Sequence, residues 1–224
     1  LPYAFANQHM SHVSTRMGVP IGFWRSVGHS HNAFFSESFI DELAFETKQD
    51  PLAFRLSLLK QVPRYAAVLK LAAEKANWGS ALPAGHAHGL AFHESFGSIV
   101  AQVAEVSVQN KQIVVHRVVC AIDCGTVVNP GTVAQQVESS VIFALTAALY
   151  GQIDIQEGVV QQNNFTNYPL VSMAQSPVVE TWIVPSTNAP EGVGEPAVPP
   201  LAPAVANAMY KLTGKRLRSL PLVA

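Results

Sequence analysis

Ile99-Val-Ala-Gln-Val-Ala-Glu-Val-Ser-Val-Gln-Asn-Lys-Gln-Ile-Val-Val-His-Arg-Val-Val-Cys-Ala-Ile122 is the stretch on which the fold class turns. Two β-branched runs, 99–108 and 113–122, flank the polar tetrapeptide Gln109-Asn-Lys-Gln112, which is the pattern of a β-hairpin. Alternation through Val114, Val118 and Ile122 marks one buried face. Helical patterns lie on both sides of it. Upstream, Phe35, Phe39, Ile40 and Leu43 recur at helical spacing and predict a helix ending near Lys48. Asp50-Pro51 then reads as an N-cap followed by proline at the first helical position, with Leu52, Leu56 and Leu59 as the stripe. A third helix is expected from Pro63 to Asn77, stopped at Gly79. The residues before about Phe34 are rich in Gly, His and Ser and read as strand and loop.

Downstream, Asn129-Pro130 opens a long helix with Ala134, Val137, Val141, Leu145 and Ala148 on its core side and Gly151 as its stop. Val159 to Phe165 and Val178 to Val184 read as further strands, and a last helix runs from about Pro203 to Leu212, ending at Gly214. Helices and strands that alternate irregularly around a hairpin favour an α+β fold over a doubly wound sheet. The character changes at Gly85, so residues 1–84 are read as one subdomain with a helical patch and 85–224 as a second.

The chain has 224 residues and a net charge of −1, and only 13% of its residues are charged while 49% are hydrophobic. An ordinary globular domain carries about 25% charged residues. One reading of so little charge is that much of the surface is covered by other polypeptide. Near-neutrality offers nothing to nucleic acid or an anionic membrane. The longest apolar stretch, around Val141 to Tyr150, is roughly half a membrane span. The start, Leu-Pro-Tyr, has neither an initiator Met nor a signal-peptide pattern, and is read as belonging to a piece of something longer. Cys120 and Cys124 are too few for a zinc or iron–sulfur ligand set and are expected as buried thiols.

Glu191-Gly-Val-Gly-Glu-Pro-Ala-Val-Pro-Pro200 carries the strongest chemical signal. From Gly192 to Tyr210 its Glu195 is the only residue with a formal charge. Poor solvation disfavours a carboxylate's charged form and strengthens it as a general base. A surface turn with a solvated glutamate fits the same spacing. Arg25 lies in Trp24-Arg-Ser-Val-Gly28, with Gly22 upstream, where a planar guanidinium could meet an oxyanion; a packed Trp with a surface Arg fits equally. Gln135-Gln136, placed in the first turn of the long helix, would turn amides toward an anion, although a solvated pair reads the same way. His29-x-His31 and His86-x-His88 raise a metal hydrolase reading, since on a strand i and i+2 share a face. No His-Glu-x-x-His anchor accompanies them, and His86 and His88 read as loop residues. Neither a nucleophile elbow nor a phosphate-binding glycine loop is present.

Several segments, in order, resemble the molybdopterin-binding subunit of the xanthine dehydrogenase/aldehyde oxidase family, and in particular the isoquinoline 1-oxidoreductase β-subunit branch and the membrane-associated bacterial aldehyde dehydrogenases. They are Gly22-Phe-Trp-Arg-Ser-Val-Gly-His-Ser-His-Asn-Ala-Phe34, Glu37-Ser-Phe-Ile-Asp-Glu-Leu43, Asp50-Pro-Leu-Ala-Phe-Arg55, Gly89-Leu-Ala-Phe-His-Glu-Ser-Phe96, Asp123-Cys-Gly-Thr-Val-Val-Asn-Pro130, Gln136-Val-Glu138 and Gly192-Val-Gly-Glu-Pro196. They span from about Gly18 to Pro221 and correspond to the C-terminal third or so of such a subunit.

The resemblance implies a fold, the C-terminal portion of a molybdenum-cofactor-binding domain, and a chemistry, hydroxylation of an N-heterocycle or aldehyde carbon with oxygen derived from water. Glu195 matches the family's catalytic base. Trp24 and Arg25 match the pair lining the molybdenum site, Gln136 matches a glutamine that hydrogen-bonds the pterin, and Gly194 belongs to the same cofactor-facing loop. No protein side chain ligates the metal directly. Where xanthine dehydrogenases carry Gly-Phe-Gly after the arginine, this sequence has Ser26-Val27-Gly28, so Val27 stands in the substrate pocket and purine is disfavoured. The implied cofactor is molybdenum–molybdopterin, in its cytosine dinucleotide form. The implied partners are the upstream part of the molybdenum subunit, a small iron–sulfur subunit carrying the clusters, and a cytochrome c subunit as a further candidate. The setting implied is bacterial, at the cytoplasmic or periplasmic face of the membrane. A non-catalytic assembly module, inactive without the upstream segments, is the alternative.

Overall fold

The computed structural model describes residues 1–15 and 18–224. A four-stranded sheet in the order β1-β2-β3-β6 forms its middle layer. The strands are β1 (His86–Ser95), β2 (Ser98–Gln109), β3 (Gln112–Asp123) and β6 (Val178–Ile183). β1, β2 and β3 run antiparallel to one another, and β6 joins β3 in parallel. The fold is α+β, as the hairpin implied. Asn110 and Lys111 close that hairpin with φ of 50° and 62°. Two consecutive left-handed residues match the natural twist of paired strands.

Helices cover both faces. On one, α1 (Val27–Glu46), α2 (Pro51–Leu58) and α3 (Pro63–Lys75) bring Ile40, Phe54, Leu69 and Ala72 against Leu90, Ile99, Val103 and Val119. On the other, α4 (Pro130–Tyr150) and α5 (Leu201–Thr213) bring Val137, Val141, Leu145 and Val205 against Val100, Ala104, Val118 and Ile122. Each fully buried Leu, Ile or Val contributes roughly 1.5–3 kcal/mol from hydrophobic burial. Gly89 lets α5 approach β1, since a Cβ there would sit 2.0 Å from the Ala204 carbonyl oxygen.

The terminators read from sequence act as expected at three helices. The Asp50 carboxylate accepts from the N–H groups of Leu52 and Ala53, the Asn129 side chain accepts from Thr132 N–H, and Gly214 closes α5 at φ 72°. Elsewhere the structure differs. α1 begins at Val27, so the stretch expected as strand and loop up to Phe34 is helical from there on. Its first two turns, Gly-His-Ser-His-Asn, carry no apolar stripe to announce them. His86 and His88 lie on β1 and not in a loop, whereas His29 and His31 lie on α1, where i and i+2 diverge. A bulge at Glu105/Val106 leaves His116 without a partner and reverses the face parity of β3. Val115 therefore joins Val118 and Ile122 inside, and Val114 does not. Of the strand expected from Val159 to Phe165, β5 (Val159–Val160) alone pairs, with β4 (Ile155–Gln156), and both pieces are exposed.

A buried polar knot ties the layers together. Arg55, fully buried, donates to Glu37 Oε2 at 3.0 Å, and Tyr3 donates to Glu37 Oε1 at 2.6 Å. Phe92 N–H completes the Glu37 carboxylate at 3.1 Å. Burial first, then the Glu37 charge, raises the Tyr3 phenol well above its usual range. Breaking such a pair at one partner costs about 3–5 kcal/mol. Among the described residues no helix is long and apolar enough to cross a membrane.

Candidate functional site

The loop from Asn188 to Val198 crosses the end of the sheet and is gripped along its length. Glu191 N–H donates to Cys124 O at 3.0 Å and Gly192 N–H to Phe96 O at 3.3 Å. Ser98 Oγ donates to Gly192 O at 2.7 Å, and the buried Gln102 donates to Ala197 O at 2.7 Å. Gly125 permits this crossing, because at φ 72° a Cβ would lie 1.9 Å from the Ala189 carbonyl oxygen. Nearby, Arg64 anchors Asp123 with Nε 2.6 Å from Oδ2. Burial would raise the Asp123 carboxyl, but the bonds from Arg64 and Gly125 N–H outweigh it and hold it below the usual range.

On the far side the loop meets the turn that starts α1. Arg25 donates from Nε to Gly194 O at 3.0 Å, with a second, shorter contact to the same oxygen from Nη2. Its remaining donors reach α4: Ser139 Oγ at 3.1 Å, Ser140 Oγ at 2.9 Å and Gln136 Oε1 at 3.4 Å. Ser26 N–H donates to Glu195 Oε1 at 2.9 Å, and Ser26 Oγ donates to the Glu195 carbonyl at 2.6 Å. Partial burial lowers the Arg25 guanidinium, an effect that the Glu195 charge opposes.

Five of the six residues singled out in the sequence thus share one locality: Trp24, Arg25, Gln136, Gly194 and Glu195, with Val27 next to Ser26. Glu195 is not the solitary carboxylate that the sequence implied, since Ser26, 169 positions away, comes to meet it, and Arg25 holds the Gly194 carbonyl beside it. Gln136 lies in the second turn of α4, because the helix starts at Pro130, and Gln135 points to solvent. Trp24 packs on Phe143 with ring centroids 4.9 Å apart, at the rim of a recess of about 410 Å³ that also takes in Tyr168 and Leu170. Val27 is 37% exposed.

Sequence reasoning did not single out Ser26, Ser139, Ser140 or Phe143. For the last three a signal existed, since they follow Gln136 by three, four and seven positions and share its helix face.

Five N–H groups of the loop have no acceptor among the described residues, those of Ala189, Val193, Gly194, Glu195 and Ala197, and the middle three are consecutive. The Gln136 amide accepts from Arg25 and keeps its own NH₂ free among these residues. A Cβ built on Gly194 would enter open space, with nothing but Gln136 Oε1 inside 4 Å, at 3.8 Å. Unspent donors and a side-chain-sized space thus lie beside a carboxylate. The histidines are engaged elsewhere. His86 Nδ1 lies 2.7 Å from Glu105 and the ring stacks on His116 at 4.3 Å, while His29 Nδ1 lies 3.0 Å from His93 Nε2. Among the described residues no three His, Cys, Asp or Glu side chains gather to hold a metal ion.

The family model described as the molybdopterin cofactor-binding domain matches residues 45–177. Isoquinoline 1-oxidoreductase subunit beta of Brevundimonas diminuta is 34% identical over 220 residues, which are 96% of this chain and 28% of the relative. A membrane-bound aldehyde dehydrogenase of Gluconacetobacter polyoxogenes, named for pyrroloquinoline quinone, is 32% identical over 90% of this chain and 29% of its own length. The chain therefore spans under a third of either relative. Among solved structures, the aldehyde oxidoreductase of Desulfovibrio desulfuricans ATCC 27774 superposes with a TM-score of 0.68 at 13% identity, over 89% of this chain and 40% of that one, which is a likeness of fold.

Proposed function

The chain belongs to the molybdopterin cofactor-binding domain family, and from that premise we propose that it supplies the base-bearing wall of a molybdenum hydroxylase active site. The observation that carries this reading is the Glu195 carboxylate, held by Ser26 N–H beside three unspent backbone donors and the Gln136 amide. The reaction proposed converts a C–H bond of an N-heterocycle or aldehyde and one water into C–OH, two protons and two electrons.

The residues fit the cofactor. Molybdopterin is an anionic, acceptor-rich group, and the face beside Gly194 offers N–H donors, a free amide and room that a side chain would fill. Gln136 and the N–H groups of 193–195 would hold the pterin, with Arg25 acting at one remove by fixing Gly194 and Gln136. When bound, the cofactor supplies the two-electron acceptor and a Lewis acid. Glu195 takes the proton that leaves the attacking water-derived oxygen. Ser26 N–H, 2.9 Å from Oε1, holds the carboxylate in place for that role. Trp24 and Val27 shape the approach. Iron–sulfur clusters on a partner chain would take up the electrons. That partner and the cytosine dinucleotide form of the cofactor rest on the family resemblance of the motifs, and the substrate class on the names of the relatives above.

The test is Glu195→Gln in the complete enzyme. The glutamine oxygen can still accept from Ser26, so fold and molybdenum content stay as they are. Loss of the proton acceptor lowers kcat on the order of a thousandfold or more. A variant within about tenfold of wild type refutes the assignment.

A further inference from the structure

We propose that Ser26 is the positioning residue of the base: it fixes one oxygen of the Glu195 carboxylate and leaves the other to take the proton. The inference rests on reading Glu195 as the base. Ser26 is fully buried and stands at the N-cap of α1, yet it makes no side-chain cap bond to its own helix. A serine at that place ordinarily spends its oxygen on the N–H of the second or third helical residue. Here the hydroxyl donates instead to the Glu195 carbonyl, 2.6 Å away.

The backbone is bent to the same end. Ser26 has φ 72°, and Val27, a β-branched residue, has φ 43°. Left-handed conformations in two successive side-chain-bearing residues cost free energy and persist where the surroundings impose them. This turn aims Ser26 N–H out of the helix and at Glu195 Oε1, 2.9 Å away. One residue thus holds Glu195 at its carbonyl and at its carboxylate. Oε2 accepts no hydrogen bond among the described residues, so it is the oxygen with a lone pair to offer. Arg25, the residue before, secures the preceding carbonyl of Gly194. The two consecutive residues form a staple across the Gly194-Glu195 peptide.

Two measurements test this in the complete protein. In the first, Ser26→Ala and Ser26→Gly both remove the hydroxyl and keep the N–H, and glycine also suits the left-handed φ, so it serves where the alanine variant does not fold. Both are expected to lower kcat about tenfold or more with KM little changed, at constant molybdenum content. Wild-type kcat in both variants, or a change carried by KM alone, overturns the proposal.

The second measurement needs no turnover. Amide hydrogen exchange at Ser26 should speed up about tenfold or more in Glu195→Ala, which removes the acceptor. It should stay slow in Glu195→Gln, which keeps one. Unchanged exchange in Glu195→Ala overturns the positioning role whatever Glu195 does. Lost protection together with an active Glu195→Gln enzyme shows that the contact exists but that Glu195 is no base, which ends the proposal from the other side.

Discussion

Arg25→Lys separates holding the loop from holding the cofactor. The arginine fork reaches Gly194 O, Ser139 Oγ, Ser140 Oγ and Gln136 Oε1. Lysine keeps the charge that faces Glu195 but has three donors on one nitrogen and no planar fork. It cannot span from Gly194 on one side to the α4 hydroxyls on the other, so about two of the charged bonds are lost. Such bonds are worth about 1.5–3 kcal/mol when buried. Arg25 is partly exposed, and screening brings each nearer to about 1 kcal/mol. A loss of about 2 kcal/mol, if expressed wholly in the placement of Glu195, lowers kcat about thirtyfold. The expected result in the complete enzyme is therefore a ten- to thirtyfold fall in kcat, on the order set by that loss, with KM and molybdenum content nearly constant. The assay is steady-state turnover beside elemental analysis of the same preparation. Two results refute the reasoning: unchanged turnover, or a loss of molybdenum that accounts for all of the lost activity. The second would mean that the guanidinium grips the cofactor and not the loop.

Val27→Phe is expected to reorder relative rates among N-heterocycles or aldehydes of different size while molybdenum occupancy holds, because Val27 adjoins the Ser26–Glu195 contact; an unaltered ranking places the residue outside the pocket. Burial, aided by His29, pushes the His93 imidazole down to about 4 from its ordinary 6.5, so the folded protein keeps it neutral where the unfolded chain would protonate it. Its contribution to stability is complete above the ordinary value and is lost as pH falls through the folded one. His93→Gln should therefore flatten the fall in unfolding temperature between pH 6.5 and about 4, and an unchanged slope would show that His93 does not carry it.

What the sequence displayed were the local devices. The Gln109–Gln112 turn, the Asp50-Pro51 and Asn129-Pro130 starts and the Gly214 stop are each decided within a few residues, and each is found where it was expected. What it concealed depends on distant neighbours. β1 reads His-Ala-His-Gly-Leu-Ala-Phe-His-Glu-Ser, an unpersuasive strand by propensity, and it is held by β2 along its whole length and by α5 across Gly89. The bulge that turns Val114 outward follows from the accommodation of His116, whose Nε2 meets Ser107 Oγ at 2.7 Å. No periodicity within β3 contains that information. The first turns of α1, residues 28–32, are polar and none of them is buried, so hydrophobic spacing could not reveal them.

The segments that carry the family resemblance divide physically into two kinds. Glu37, Asp41 and Arg55, from two of the quoted motifs, meet one another and Phe92 N–H in the buried knot. Their chemistry is scaffold, although charged residues in a charge-poor chain invite a catalytic reading. Arg25 and Ser26 meet the Gly194-Glu195 segment through contacts that join the start of α1 to the loop before α5, and α1 is itself fixed by that knot through Glu37. The knot determines where the helix lies, and hence where its first residue aims an N–H. A substitution at Arg55 would then reach the candidate base through α1 without touching it, while one at Ser26 would reach it directly. The same dependence explains why the contacts of Glu195 were not legible: its isolation in sequence is real, and its partners are supplied by the fold.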